Sequence, residues 1–238
     1  MPRGMNRTLT LNRRCQGFSL VELLVGITIG ALLVGMGIPA IQGGMNRAKQ
    51  AACASNMRQI GQGVLLYSAE NEGRLPSIAC IGTNTWIEQL QPFLGANYTK
   101  VRVCPADPKA AAKQQTSHAT SYILNERVEP DSFINPDGEI DPGEVVFDRM
   151  IRIAQPSRVI LLFIDKPRDE HRDHMHASLM TSWDGVRNEI WVDPYGGKSP
   201  DGTAGISNYL FADGRVESIA ARSIKERVDR GEDITKAF

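Results

Sequence analysis

An α+β fold, one long N-terminal helix packed on an antiparallel sheet, follows from three observations in the 238-residue sequence. Residues 23–41 carry no charge, and apolar residues then recur at helical spacing from Cys53 to Tyr67. Beyond Pro76, Gly, Pro, Asn and Asp separate short β-type runs. A helix followed by hairpin-forming strands, without alternation of strand and helix, reads as α+β.

The first half of the helix has the character of an anchor. Its uncharged run of 19 residues, 23–41, matches the length that crosses a hydrocarbon core of about 30 Å. Lys plus Arg and Asp plus Glu number 27 each, so net charge points to neither nucleic acid nor a bulk acidic partner. The distribution is uneven. Arg3, Arg7, Arg13 and Arg14 stand in residues 1–17 without an acid, while the remainder has 23 basic and 27 acidic residues. Basic residues beside an apolar span stay on the cytoplasmic side, which puts the N-terminus in and the bulk of the chain out, in the periplasm or its equivalent. A secretory signal peptide would have a shorter apolar core and a small-residue cleavage site. Here the core is long and runs into Pro39-Ala40-Ile41-Gln42-Gly43-Gly44. A plain anchor accounts for length and flanks but not for Glu22, because an acid in a spanning segment is costly and implies a partner.

The second half of the helix is amphipathic. Cys53, Met57, Ile60, Val64 and Tyr67 form one stripe, with Asn56, Arg58, Gln59, Gln62 and Glu70 on other faces. Gly73 and Pro76 give the stop, so the helix is expected from Phe18 to Glu72, with a kink at Pro39. Gly43-Gly44 weakens it between the halves. Strands are expected at Val101–Val103, Tyr122–Leu124, Val159–Ile164, Tyr209–Phe211 and Val216–Ile219. Val159–Ile164 is the most apolar and should be central. Asp213-Gly214 accepts the positive φ angles of a tight hairpin turn.

The stretch Gly17-Phe18-Ser19-Leu20-Val21-Glu22 resembles the processing site of type IV prepilins and of the pseudopilins of type II secretion. In that family a membrane peptidase and N-methyltransferase cuts after the glycine and methylates the new amine. The resemblance implies cleavage between Gly17 and Phe18, N-methylation of Phe18, and Glu22 as fifth residue of the mature chain. Pro39 takes the twenty-second mature position, where many members carry proline. The organisation implied is a leader at 1–17, a transmembrane helix at 18–41, its amphipathic continuation at 42–73 and an extracytoplasmic globular α+β domain, pilin-like, at 74–238. The partners implied are the prepilin peptidase, other pilin or pseudopilin subunits, an inner-membrane assembly platform and the bilayer, with no nucleic acid. Glu22 then acts in assembly: a Phe18 amine and a neighbour's Glu22 carboxylate, each penalised alone at low dielectric, compensate one another. Gly26-x-x-x-Gly30 would let helices approach closely, or simply reflects how common glycine is in membrane helices.

Further motifs resemble a large bacterial set of pseudopilin-like proteins: Cys53-Ala-Ser-Asn56-Met-Arg-Gln-Ile-Gly61, Cys104-Pro105-Ala106-Asp107-Pro108, Ser121–Asn125 and Asn208–Gly214. That set carries His, nine residues, then Asp-Gly near the C-terminus. This chain has Thr203 at the histidine position, so no role transfers to it.

Cys15 falls in the leader, leaving Cys53, Cys80 and Cys104 for an oxidising compartment. Cys80 and Cys104, both in loop-rich sequence, are the preferred pair, with Cys53 read as a small buried hydrophobe. The stretch Asn135-Pro-Asp137-Gly138-Glu139-Ile140-Asp141-Pro-Gly-Glu144 follows a calcium loop from its third position to its twelfth. Phe133 stands where the first ligand should be, so Ca²⁺ competes there with a solvated acidic turn. Major pseudopilins bind calcium in a loop of this domain, and the resemblance extends that implication here. Asp169-Glu170-His171-Arg172-Asp173-His174-Met175-His176 has ligands for zinc or copper, against the plainer reading of an exposed polar loop interrupted by Arg172. No cofactor is required, and no Ser, His or Asp stands in a nucleophile or P-loop context. The expected function is a structural, non-enzymatic filament subunit. The alternatives are a membrane-anchored binding or adhesin module, or a membrane-tethered hydrolase.

Overall fold

The computed structural model describes residues 19–78, 84–134, 137–168 and 172–238, with the side chains of Val34 and residues 36–40 outside that description. The chain divides into two compact units, Met1–Gly44 and Met45–Phe238. Helix α1, Leu20–Glu70, contributes to both. It is followed by the short helices α2 (Trp86–Gln89), α3 (Gln91–Leu94), α4 (Tyr98–Val101) and α5 (Ala110–Lys113). Strands β1 (Tyr122–Asn125), β2 (Ile160–Ile164) and β3 (His174–Met175) come next, then helix α6 (Trp183–Glu189). Strands β4 (Ile206–Phe211) and β5 (Val216–Ala220) and helix α7 (Ala221–Asp229) complete the order.

In the first unit α1 starts at a capping box. Ser19 precedes the helix, its Oγ accepts the Val21 N–H at 3.4 Å, and its own N–H donates to Glu22 Oε2 at 3.0 Å. It is a variant of the box, in which the glutamate three residues on takes the serine N–H while the serine hydroxyl takes the N2 donor in place of the N3 one, so that donors at the helix start are satisfied. Along the next turns Leu23, Leu24, Ile27, Leu32 and Leu33 are all exposed. Thr28, the polar residue among them, returns its hydroxyl to the Leu24 and Val25 carbonyls. The helix continues through Pro39, whose side chain lies outside the description.

In the second unit the expected stripe is the buried face of α1: Cys53, Met57, Ile60 and Val64 are in the core, with Tyr67 packed at its edge. Gly61 lets α1 approach the sheet closely. A Cβ placed there would lie 2.8 Å from Leu210 Cδ1, inside contact distance. The helix stops in a Schellman arrangement. Glu72 takes φ 56° and the Gly73 N–H reaches back to the Ser68 carbonyl at 2.8 Å.

The sheet order is β3-β1-β2-β4-β5, antiparallel except for the β1–β3 pair. β2 is central, as its composition predicts, and the β4–β5 hairpin turns at Gly214 with φ 84°. Side chains alternate between two cores. Tyr122, Leu124, Leu162 and Leu210 face the core built with α1 and the short helices. Ile123, Phe163, Tyr209 and Phe211 face a second core built with α6 and α7. Both faces of the sheet are therefore covered, which is why β2 is apolar at every position.

Two sequence expectations are corrected. Val101–Val103 is not a strand: Tyr98 and Val101 bury one side of the helical turn α4, and Arg102 turns its guanidinium inward to the Lys113 and Gln114 carbonyls. The disulfide does not join Cys80 to Cys104. Cys104 is bonded to Cys53, with Cα atoms 5.1 Å apart, within the range a disulfide spans. The physical reason is that α4 docks on α1, where the Asn56 side chain donates to the Val103 carbonyl at 3.0 Å. Cys80 lies outside the described residues.

Candidate assembly site

The residues singled out by the N-terminal motif are unevenly placed. Gly17 and Phe18 lie outside the described residues. Glu22 is exposed in the first turn of α1, its Oε2 holding the Ser19 N–H. A carboxylate there is also favoured by the helix dipole, whose positive end is at the N-terminus. The glutamate is thus held against the backbone one turn from the expected cleavage position while staying open on its outer side. A Cβ added at Gly26 or Gly30 would meet no atom within 4 Å, so both positions are open to a neighbour. Among the described residues no helix is long and apolar enough to cross a membrane. The uncharged run 23–41 includes the positions whose side chains are outside the description.

The loop considered for calcium is committed elsewhere in part. Ile134 and Ile140 form an isolated bridge, and the Asp141 N–H donates to the Phe133 carbonyl at 2.9 Å. Glu144 turns to the buried Arg127 at 2.5 Å and to Lys236 at 3.4 Å. The Arg127 hydrogen bond holds the Glu144 carboxyl below its ordinary range. Arg127 also engages Asp233 at 2.9 Å and Thr235 at 2.6 Å, a buried hub that no local pattern announces. Asn135 is outside the described residues, and among those described no three His, Cys, Asp or Glu side chains gather as metal ligands, Asp137, Glu139, Asp141 and Glu144 included.

Thr203, at the position where the resembled set carries histidine, closes a turn. Its hydroxyl donates to Asp201 Oδ2 at 2.9 Å and its N–H to Oδ1 at 3.2 Å. Asp201 also receives the Ser199 hydroxyl, and these donors lower its pKa to about 2. What the structure adds at the N-terminus is the capping box. The sequence signal for it was available, since Ser19-Leu20-Val21-Glu22 has the required spacing.

No curated protein and no solved structure matches this chain. The family model of the prokaryotic N-terminal methylation motif matches residues 12–38, a span that contains Gly17, Phe18 and Glu22. The chain therefore carries an N-terminal methylation motif, consistent with a processed protein of the type IV prepilin or pseudopilin kind.

Proposed function

We propose that this chain is a structural subunit of a type II secretion pseudopilus or a type IV pilus-like filament. Prepilin peptidase cleaves it after Gly17 and methylates Phe18, residues 18–41 hold it in the inner membrane, and residues 74–238 form a pilin-like periplasmic domain. From there it adds to other pilin or pseudopilin subunits at an assembly platform. One observation carries the reading: the methylation motif is matched at 12–38 with Glu22 in register as fifth mature residue. The protein acts by assembly and not by catalysis, and the reading requires no cofactor.

The capping box favours a second reading, in which Glu22 merely starts the helix of an anchor that displays a binding module. The variants Glu22→Ala and Glu22→Gln separate the two. Glutamine can keep a capping box but has no charge. In the filament reading both variants insert and are cleaved normally, and both fail to enter filaments. Removing one partner of a buried ion pair costs about 3–5 kcal/mol, several powers of ten in association. Membrane content, N-terminal mass and filament incorporation are compared with wild type. Incorporation of Glu22→Gln at the wild-type level would mean that capping alone is the role of this residue. A mature N-terminus other than methylated Phe18 would remove the processing step as well.

A further inference from the structure

The edge strand β3 places His174 and, just past its end, His176 on either side of Met175. Met175 is fully buried, so strand alternation directs the two imidazoles to the opposite face. His176 keeps 45% of its side chain exposed and His174 12%. The ring centroids are 4.9 Å apart with an interplanar angle of 67°.

Each ring is held from behind through Nδ1. His174 Nδ1 is 2.7 Å from Asp173 Oδ1, and His176 Nδ1 is 3.2 Å from Glu189 Oε2. Both carboxylates are buried, at 6% and 2% exposure. Glu189 is fixed further by Arg172 and by the His176 N–H at 2.8 Å. Burial by itself would raise the pKa of Glu189, but the Arg172 hydrogen bond and the His176 backbone bond bring it below the ordinary value. Arg172 NH2 also lies 2.9 Å from His176 Nδ1. Binding at Nε2 selects the tautomer whose Nδ1 proton points to Glu189 and leaves Arg172 on that carboxylate. A carboxylate behind each imidazole is the arrangement that orients metal-ligating histidines and raises their basicity.

The spacing fits one ion. A zinc–nitrogen bond of about 2.0–2.1 Å plus the ring radius puts the centroids of two imidazoles on a tetrahedral ion about 5 Å apart. The surrounding charges favour a cation. Among the described residues Asp173, Glu189 and Glu126, whose Oε2 accepts the Ala177 N–H at 2.7 Å, stand against the guanidinium of Arg172 and that of Arg168, which donates to the Glu189 carbonyl at 3.5 Å. Two imidazole ligands with solvent oxygen completing the shell suit zinc and neighbouring late divalent metals, not calcium or magnesium. We propose that His174 and His176 bind one Zn²⁺ through their Nε2 atoms as neutral imidazoles: a ring whose proton sits on Nε2 shifts it to Nδ1, facing the carboxylate, and whatever Nε2 was bonded to is displaced. The site does not depend on the filament reading.

The test is calorimetric titration of the full-length, detergent-solubilised chain with ZnCl₂ at neutral pH. Wild type is expected to take up one zinc. His174→Gln and His176→Gln should each weaken uptake at least about tenfold, and the double variant should abolish it. Asp173→Asn, which touches no metal, should cost about 10–100-fold in affinity, whereas His118→Gln should change nothing. Acidification should release the ion, because the ligand must be neutral imidazole. Zinc-free melting curves check that the variants fold. Should one unfold, histidine-selective NMR of wild type with zinc replaces it, with shifts expected at His174 and His176. No uptake by wild type at millimolar zinc, unchanged affinity in the double variant, or NMR shifts confined to other histidines would overturn the proposal.

Discussion

The two ends of α1 share one secondary structure and differ in how apolar residues are phased around it. Upstream of Gly44 they cover all sides, and Leu20, Leu23, Leu24, Ile27, Leu32 and Leu33 are left exposed. Downstream a buried stripe of Cys53, Met57, Ile60 and Val64 stands out, while Ala51, Ser55, Arg58 and Gln62 face outward and Met45, Leu65 and Leu66 are the large apolar residues left exposed. A stripe can be satisfied by the chain's own sheet. Apolar residues on every side call for an environment supplied from outside it, lipid or neighbouring helices. One element therefore serves folding at one end and, in the proposed function, anchoring and assembly at the other.

The largest expected effect is at the buried stripe. Ile60→Ala should destabilise the second unit by about 2–5 kcal/mol, through lost burial plus the cavity left beneath the sheet. Denaturant melts of the full chain in detergent measure it. A loss below about 1 kcal/mol would mean that the helix is not part of the core. Next comes the covalent tie. Cys53→Ala with Cys104→Ala should cost about 2–4 kcal/mol, and non-reducing peptide mapping of wild type should recover Cys53 joined to Cys104. A Cys80–Cys104 peptide would restore the pairing expected from sequence instead.

The carboxylates of the two regions extend the contrast. Glu22 is exposed and capped, whereas Asp165, at the end of β2, is buried. Among the described residues its Oδ1 accepts no hydrogen bond. Burial raises the Asp165 pKa from 3.8 to about 6, opposed by Lys113, Arg168 and Arg172 and reinforced by Asp107. Since the folded protein then holds a proton that the unfolded chain has released, this residue's contribution to stability falls as pH rises from about 4 to 6. It is level on either side of that window. Asp165→Asn should flatten this part of the stability–pH curve, and an unchanged slope would assign it to another group. The smallest effect is expected at Leu24→Ala. With Leu24 exposed, the change should move the melting of the second unit by no more than about 0.5 kcal/mol. A loss matching that of Ile60→Ala would erase the distinction between the two ends.

Much of this contrast was legible in the sequence because it rests on periodicity. The uncharged run, the stripe from Cys53 to Tyr67, the all-apolar β2 and the Asp213-Gly214 turn each carry a local signal that tertiary contacts only reinforce. The processing motif is equally local, which is why its match spans only residues 12–38. The short helices α2 to α5 were not legible. Four residues hold about one helical turn, too little for a period to show; α2, α3 and α4 are fixed instead by side chains buried in the core that α1 lines, while α5 buries none.

Residue order alone sets hydrophobic phase and motif register. It therefore dictated the uncharged run, the amphipathic continuation, the central strand and the motif around Gly17, Phe18 and Glu22. Tertiary packing had to choose Cys53 over Cys80 as the partner of Cys104, and to lay a second helical layer on the far face of the sheet. It also brought the rings of His174 and His176 to 4.9 Å, each backed by a buried carboxylate. These outcomes depend on distances between segments far apart in the chain or on side-chain orientation. Both are settled by close packing, which no local pattern encodes.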